Sequence, residues 1–249
     1  MGDRDYPEYL RANNFRFVER IPGTDKIPIR QASANSTIKE ENRLSGGQFA
    51  NIIHNQRNAI RLATPDQRER GERWYPLAHQ MASSIHPDVE VGAGVISALS
   101  GFGTSWDQNV RSAQHFFKTG QPGPKATAVQ KEQAERIRDG EHWSLVLPNN
   151  LKEHSFTKAI INPYAEDGRV NDTHENDLGG GLKQPWQNVD RGLDAIGRYN
   201  TLTDAGLIAA QREGMLPHAA QATGWIVWKE LGHPHRGAIR ARDIKSRRR

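Results

Sequence analysis

Between Leu147 and His174 the chain gathers residue types that do chemistry: a proline-initiated turn, a lysine, a short helical stretch and an Asp-Thr-His triplet, in LPNNLKEHSFTKAIINPYAEDGRVNDTH. Pro148 fixes φ and begins a tight turn, and Asn149 and Asn150 are the non-glycine residues that best tolerate positive φ. That pattern predicts a hairpin between two helices, whose exposed N–H groups beside Lys152 could hold a phosphate. Lys152 has two chemical uses, as an amine nucleophile if burial lowers its pKa or as a plain cation on a phosphate, against the commoner surface lysine that does neither. Asp172, at a helix entrance, can orient or activate an attacking nucleophile and stabilise positive charge that develops as a bond breaks. An aspartate before Thr-His-Glu-Asn-Asp is also a good helix N-cap, and the two roles are compatible in geometry. His174 beside it could help proton transfer, or hydrogen-bond within the core.

The stretch resembles the helix-hairpin-helix DNA glycosylase superfamily, in which a leucine-proline-glycine-x-glycine hairpin precedes a lysine and, further on, a valine-aspartate-threonine-histidine segment. The matching residues are Leu147-Pro148 and Val170-Asn171-Asp172-Thr173-His174. The segment VGAGVISALSGFGTSWDQNVRSAQHFF, residues 91–117, is similar to that superfamily's helix, loop and second helix, where the loop wedges into DNA from which a base has been flipped. Two departures are plain: Asn149 and Leu151 stand where the hairpin has glycines, and Asn171 is an extra residue between Val170 and Asp172. Leu151 would crowd a phosphate, and the nucleophilic lysine of the bifunctional enzymes aligns near Lys152, Glu153 or His154. The chain is also similar to uncharacterised actinobacterial-phage proteins that share an LS-x-x-x-x-SW-x-x-N block, here Leu99 to Asn109, and a QA-x-x-W segment, here Gln221 to Trp225.

The resemblance implies a DNA-binding protein that acts on a flipped base, by base excision or by phage base modification, with Asp172 central and Lys152 and His174 as further catalytic candidates. Nucleic-acid contacts then fall to Asn149 and Asn150 in the hairpin and to Phe102, Thr104 and Ser105 in the GFGTSW turn, where an aromatic at a loop tip can stack in the gap a base leaves. Asn109, one turn on, could orient that loop, whereas Trp106, Gln221 and Trp225 sit at spacings that more often pack than act. The alternatives are a DNA-binding protein without catalysis, and a phage structural or interaction protein that uses the helical surface to bind protein.

Charge agrees with a nucleic-acid partner. The formal net charge is +5, yet RGAIRARDIKSRRR, residues 236–249, alone carries +6, so the other 235 residues sum to about −1. Arg240, Arg242, Lys245 and Arg247 in this tail are the expected phosphate contacts, with binding that weakens steeply in salt; a solubilising terminus with no partner is the other reading. The absence of cysteine excludes disulfides, thiol catalysis, cysteine zinc sites and the four-cysteine cluster that several glycosylases of this type carry. His233-Pro234-His235 lacks a third ligand at metal spacing, and Gly179-Gly180-Gly181 lacks the Lys-Ser or Lys-Thr partner of a nucleotide loop, so neither metal nor cofactor is expected. Without an apolar run near the ~18 residues a membrane helix needs, and without a signal-peptide core in MGDRDYPEYLRANNF, the expectation is a soluble intracellular protein, in the host cytoplasm if phage-encoded. Nothing in the pattern sets the oligomeric state.

The elements that must position these residues read as all-α. An apolar fraction of 35% is low for a chain of 249 residues, which points to segments outside the core: a polar extended arm over residues 1–45, a helical domain of glycosylase type over 46–235, and the basic tail over 236–249. Phe49, Ile52, Ile53, Ala59, Ile60 and Leu62 share a helical face that stops before Thr64-Pro65, where Thr64 caps and Pro65 opens a second helix with an expected stripe of Trp74, Leu77, Ala78, Met81 and Ile85. VEVGAGVISAL, residues 89–99, is apolar nearly all round and belongs at the centre of a bundle, with a buried strand as the alternative; its glycines allow close helix approach. Helices are expected from Trp106 to Phe117, over residues 126–139, from Thr201 to Arg212 and from Pro217 to Leu231, with a flexible loop at Gly179-Gly180-Gly181.

Overall fold

The computed structural model describes residues 46–101, 103–147, 151–181 and 196–231, and every regular element among them is an α-helix. In chain order these are α1 Gly46–Leu62, α2 Pro65–Ile85, α3 Val89–Ala98, α4 Trp106–Thr119, α5 Ala128–Arg138, α6 Trp143–Val146, α7 Leu151–Ile161, α8 Thr173–Gly180, α9 Ile196–Arg212 and α10 Pro217–Glu230. No helix among them is long and apolar enough to cross a membrane. The N-terminal arm and the basic tail lie outside the described residues. The chain divides into two compact units, one of residues 1–72 with 171–249 and one of residues 73–170, so the second is inserted between the two halves of the first.

In the inserted unit α3 is the central helix, packed against α4, α5, α6 and α7. Residues Gly92 to Leu99 are all buried, and the segment is helical rather than extended because Asp88 caps its start by accepting from the Glu90 N–H at 2.9 Å. Glycine is required here by proximity. A Cβ on Gly92 would lie 2.4 Å from the Ala82 carbonyl oxygen, and one on Gly94 would lie 3.0 Å from Trp143 Cβ. Ile137, Val146, Leu147 and Ile160 are buried in the same unit, and beside them lies an aromatic cluster: Trp74 stands 5.2 Å from Trp106 and 5.9 Å from Phe156, centroid to centroid, with Tyr75 4.6 Å from Trp74.

The stripe expected on α2 is rotated. Gly71, Tyr75, Ala78 and Ala82 are its buried residues, and Leu77 is exposed. The set 71, 75, 78, 82 has helical spacing too and shares Ala78 with the expected stripe, of which Trp74, Met81 and Ile85 are half-buried; the most buried line is turned toward the small residues because Gly71 and Ala82 meet other backbone.

The other unit is built round α1, which packs against α8, α9 and α10, with α10 also touching α8 and α9. Phe49, Ile52 and Ile53 meet Leu202, Ala205 and Ala209 of α9, while Ala59 meets Leu178 of α8 and Val227 and Trp228 of α10. The turn between α9 and α10 closes with Gly214 at φ +64, and Glu213 in that turn receives Arg57 Nε at 2.6 Å and Arg61 Nη2 at 3.0 Å from α1. Burial pushes the Glu213 carboxyl up, but the hydrogen bonds from Arg61 and Arg57 together outweigh it and hold the group below the ordinary value.

Gly179 and Gly180, expected in a flexible loop, are the last residues of α8, and Gly181 is its left-handed C-cap at φ +73. The physical reason is contact. Gly179 is buried, with its Cβ position 3.1 Å from Ile52, and its carbonyl accepts from Asn55 Nδ2 at 2.9 Å.

Candidate functional site

Four described helix starts repeat one chemical pattern. At α2, α4 and α5 a hydroxyl cap is followed three residues later by glutamine, and each closes a reciprocal pair of hydrogen bonds: Thr64 with Gln67, Ser105 with Gln108, Thr127 with Gln130. At α8 the cap is Asp172 and the residue three later is Glu175. Asp172 Oδ1 accepts from the Glu175 N–H at 3.0 Å, so the capping reading of this aspartate holds. The half-buried Asp172 has no hydrogen bond on Oδ2 among the described residues.

The first turn of α8 that Asp172 caps is packed against α10. The His174 ring meets Trp225 edge to face at 6.3 Å, and Lys229 Nζ lies 4.0 Å from the Trp225 ring centroid. Gln221 is buried one turn before Trp225 and donates Nε2 to Glu175 Oε1 at 3.4 Å, and Glu175 itself is fully buried. Immediately before the site, Asn171 is fixed from α9: its N–H donates to the Tyr199 hydroxyl at 3.0 Å, and its Nδ2 to Tyr199 O at 3.2 Å and Thr203 Oγ1 at 2.8 Å. The residue that lengthens the motif by one is therefore an anchor for the strand of chain that delivers Asp172.

Of the residues expected to act, Asp172 and His174 are brought together at the start of α8. Lys152 lies in the first turn of α7, in the inserted unit, whereas Asp172 opens the second half of the other. Beside Lys152, burial pushes the Glu153 carboxyl above its ordinary value, and the nearby lysine only partly opposes that. Burial likewise pushes the His154 ring down, with Lys158 adding to the effect, and His154 lies tilted against Trp143 with centroids 4.9 Å apart.

In the upstream turn, Thr104 Oγ1 donates to Gly101 O at 2.6 Å and Ser105 is the cap of α4. Asn109 holds this turn as expected, donating Nδ2 to Ser100 Oγ at 3.0 Å. Trp106 is structural, within the aromatic core. Phe102, Asn149, Asn150, Arg240, Arg242, Lys245 and Arg247 lie outside the described residues, as does His233-Pro234-His235. Among the described residues no three His, Cys, Asp or Glu side chains converge as a metal site.

Glu175 and Gln221 escaped the sequence reading. Glu175 was singled out by nothing in the sequence, and Gln221 was read as a packing residue. A signal was present in the composition of THENDLGG, where Glu175, Asn176 and Asp177 are all buried: three polar residues in a row cannot all face water on a helix that also buries Leu178.

The chain belongs to a family of unknown function, DUF7178, whose model matches residues 38–231. No curated protein and no solved structure matches it.

Proposed function

We propose that this chain binds DNA through a helical fold of the helix-hairpin-helix DNA glycosylase type, flips a nucleotide, and acts at its base or glycosidic bond with Asp172 as the central carboxylate. The observation that supports this most is the division of labour within one side chain: Oδ1 of Asp172 is spent on the α8 cap while Oδ2 has no hydrogen bond among the described residues. A carboxylate held by one oxygen is oriented without being neutralised. Its free oxygen would align an attacking nucleophile and stabilise the positive charge that develops on the sugar as a base departs. His174 stands two residues away for proton transfer, and Lys152 serves as a phosphate contact or an amine nucleophile.

The basic tail supplies the salt-dependent part of the affinity in this reading. Phage base modification is the close variant, since installing a group on a flipped base uses the same approach as removing one.

The test is to incubate the purified chain with duplex and single-stranded oligonucleotides carrying normal, deaminated and hydroxymethylated bases, and to weigh the products after alkaline treatment. Strand cleavage at one base type identifies excision, and a mass gain identifies modification. DNA that is bound but never altered would replace the enzyme by a docking protein, and absence of binding at low salt would remove DNA from the account.

A further inference from the structure

We propose that Ser144 is an activated nucleophile for acyl transfer, with His142 as its general base and Glu90 as the residue that positions the base. All three belong to the inserted unit, and the proposal does not depend on the reading of Asp172. Their side chains stand in line: Ser144 Oγ is 2.6 Å from His142 Nδ1, and His142 Nε2 is 3.1 Å from Glu90 Oε2. Other hydroxyls of the same unit are spent differently, since Ser84, Thr104, Thr119 and Thr157 donate theirs to backbone carbonyls.

One contact fixes which ring nitrogen carries the hydrogen. The backbone N–H of Ser144 also points at His142 Nδ1, at 3.3 Å, and an N–H can only donate. Nδ1 therefore presents its lone pair, the ring hydrogen sits on Nε2, and Nε2 donates to Glu90. A neutral imidazole with its acceptor on a hydroxyl and its donor on a carboxylate lets a serine lose its proton as it attacks. Glu90 is itself held: its N–H donates to Asp88 Oδ1 at 2.9 Å, and its Oε2 accepts from Nε1 of the buried Trp143 at 3.2 Å. As the cap of α6, His142 needs only the Ser144 N–H; the carboxylate on the far side of its ring adds nothing to capping.

The chemistry needs only an ester and water. Ser144 Oγ attacks the carbonyl carbon as its proton passes to His142 Nδ1, and the tetrahedral adduct collapses with that proton leaving on the alcohol, so Ser144 carries the acyl group. Water, giving a proton to the same Nδ1, then attacks the acyl carbon; the carboxylic acid departs and the proton returns to Ser144 Oγ. Ser144 is half-buried and His142 exposed, so a small ester reaches both. Solvent at the same time weakens any electrostatic help to the oxyanion, which confines the substrate class to esters with a good leaving group.

The test gives the full-length chain p-nitrophenyl acetate, follows p-nitrophenolate release, and weighs the peptides of the acid-quenched protein. The expected result is an acetyl group on the peptide that contains Ser144, and turnover that Ser144→Ala lowers by about a hundredfold or more. His142→Asn, which can still cap α6, should lower it by about a hundredfold as well. Glu90→Gln should lower kcat by about tenfold with KM unchanged, a split that loss of a merely structural contact would not produce. Acetyl groups found only on other residues, or release by Ser144→Ala equal to wild type, overturn Ser144 as the nucleophile. Wild-type turnover in His142→Asn overturns the base, and wild-type kcat in Glu90→Gln overturns the positioning role. Mapping the acetyl group on the wild type decides the nucleophile even where a variant melts early.

Discussion

The two compact units bury different chemistry. In the inserted unit the core is aliphatic and aromatic, and the buried polar residues among those described are few: Ser97, Ser100, Asn109, Thr157 and Arg169. In the other, Asn51, Asn55, Gln56 and Asn58 of α1 are buried together with Asn171, Glu175, Asn176, Asp177, Thr201, His218, Gln221 and Thr223. A core needs no such set to be stable, because burying polar groups gains little even when they are hydrogen-bonded. One unit is packed chiefly for stability. The other gives up stability to hold side chains in place, and it is the one that carries Asp172.

That contrast breaks most severely at the closest helix contact. Gly92→Val should destabilise the inserted unit by about 3 kcal/mol or more, since its Cβ meets the Ala82 carbonyl rather than a side chain that could swing away. Urea unfolding followed by tryptophan fluorescence measures it; a loss below about 1 kcal/mol would mean that α2 and α3 can separate without consequence.

The opposite sign is expected in the polar unit. Gln56 is 1% exposed, and neither its Nε2 nor its Oε1 has a partner among the described residues. Gln56→Met removes two unsatisfied groups at nearly constant volume and should raise stability by about 1–3 kcal/mol. If melting instead falls, Gln56 is satisfied in solution and the polar core is better compensated than the contacts indicate.

Smaller effects follow from titration, and they differ in sign between the units. Burial lowers the His54 pKa, with Arg57 and Arg61 adding to it, so the folded state resists protonation. The unfolded chain then binds the extra proton first, and stability falls as pH drops below the ordinary histidine value of 6.5. His54→Gln should flatten that acid limb of a melting-temperature profile. Glu153 has a raised pKa through burial, so the folded state prefers it protonated, and stability is lost as pH rises above 4.5. Glu153→Gln should therefore raise the melting temperature at neutral pH and have no effect well below 4.5. Equal melting at both pH values would show the carboxyl to be hydrated.

The helical class and most helix boundaries were legible because they rest on local signals: Thr64-Pro65 and Asp172 announce starts through side chains that act within one turn, whereas the caps at Ser105 and Thr127 went unread. The most buried line of α2 was not legible, because the close approach of other backbone, rather than side-chain size, decides it. Gly179-Gly180-Gly181 was misread as a loop for the same reason, since packing against Ile52 makes glycine the residue that fits at 179. Asp172 and His174 were visible as a contiguous motif. Glu175 and Gln221 were not, as their pairing joins residues 46 positions apart and looks from either end like an ordinary helix position.

The central claim is that Asp172 does more than cap a helix, and Asp172→Asn separates the two roles, because asparagine caps about as well as aspartate but carries no charge. Melting temperature and single-turnover product formation would be measured side by side on the same preparation. The account predicts unchanged melting, DNA binding within about threefold, and turnover reduced by about a hundredfold or more. Turnover equal to wild type would leave Asp172 as a cap and contradict the account.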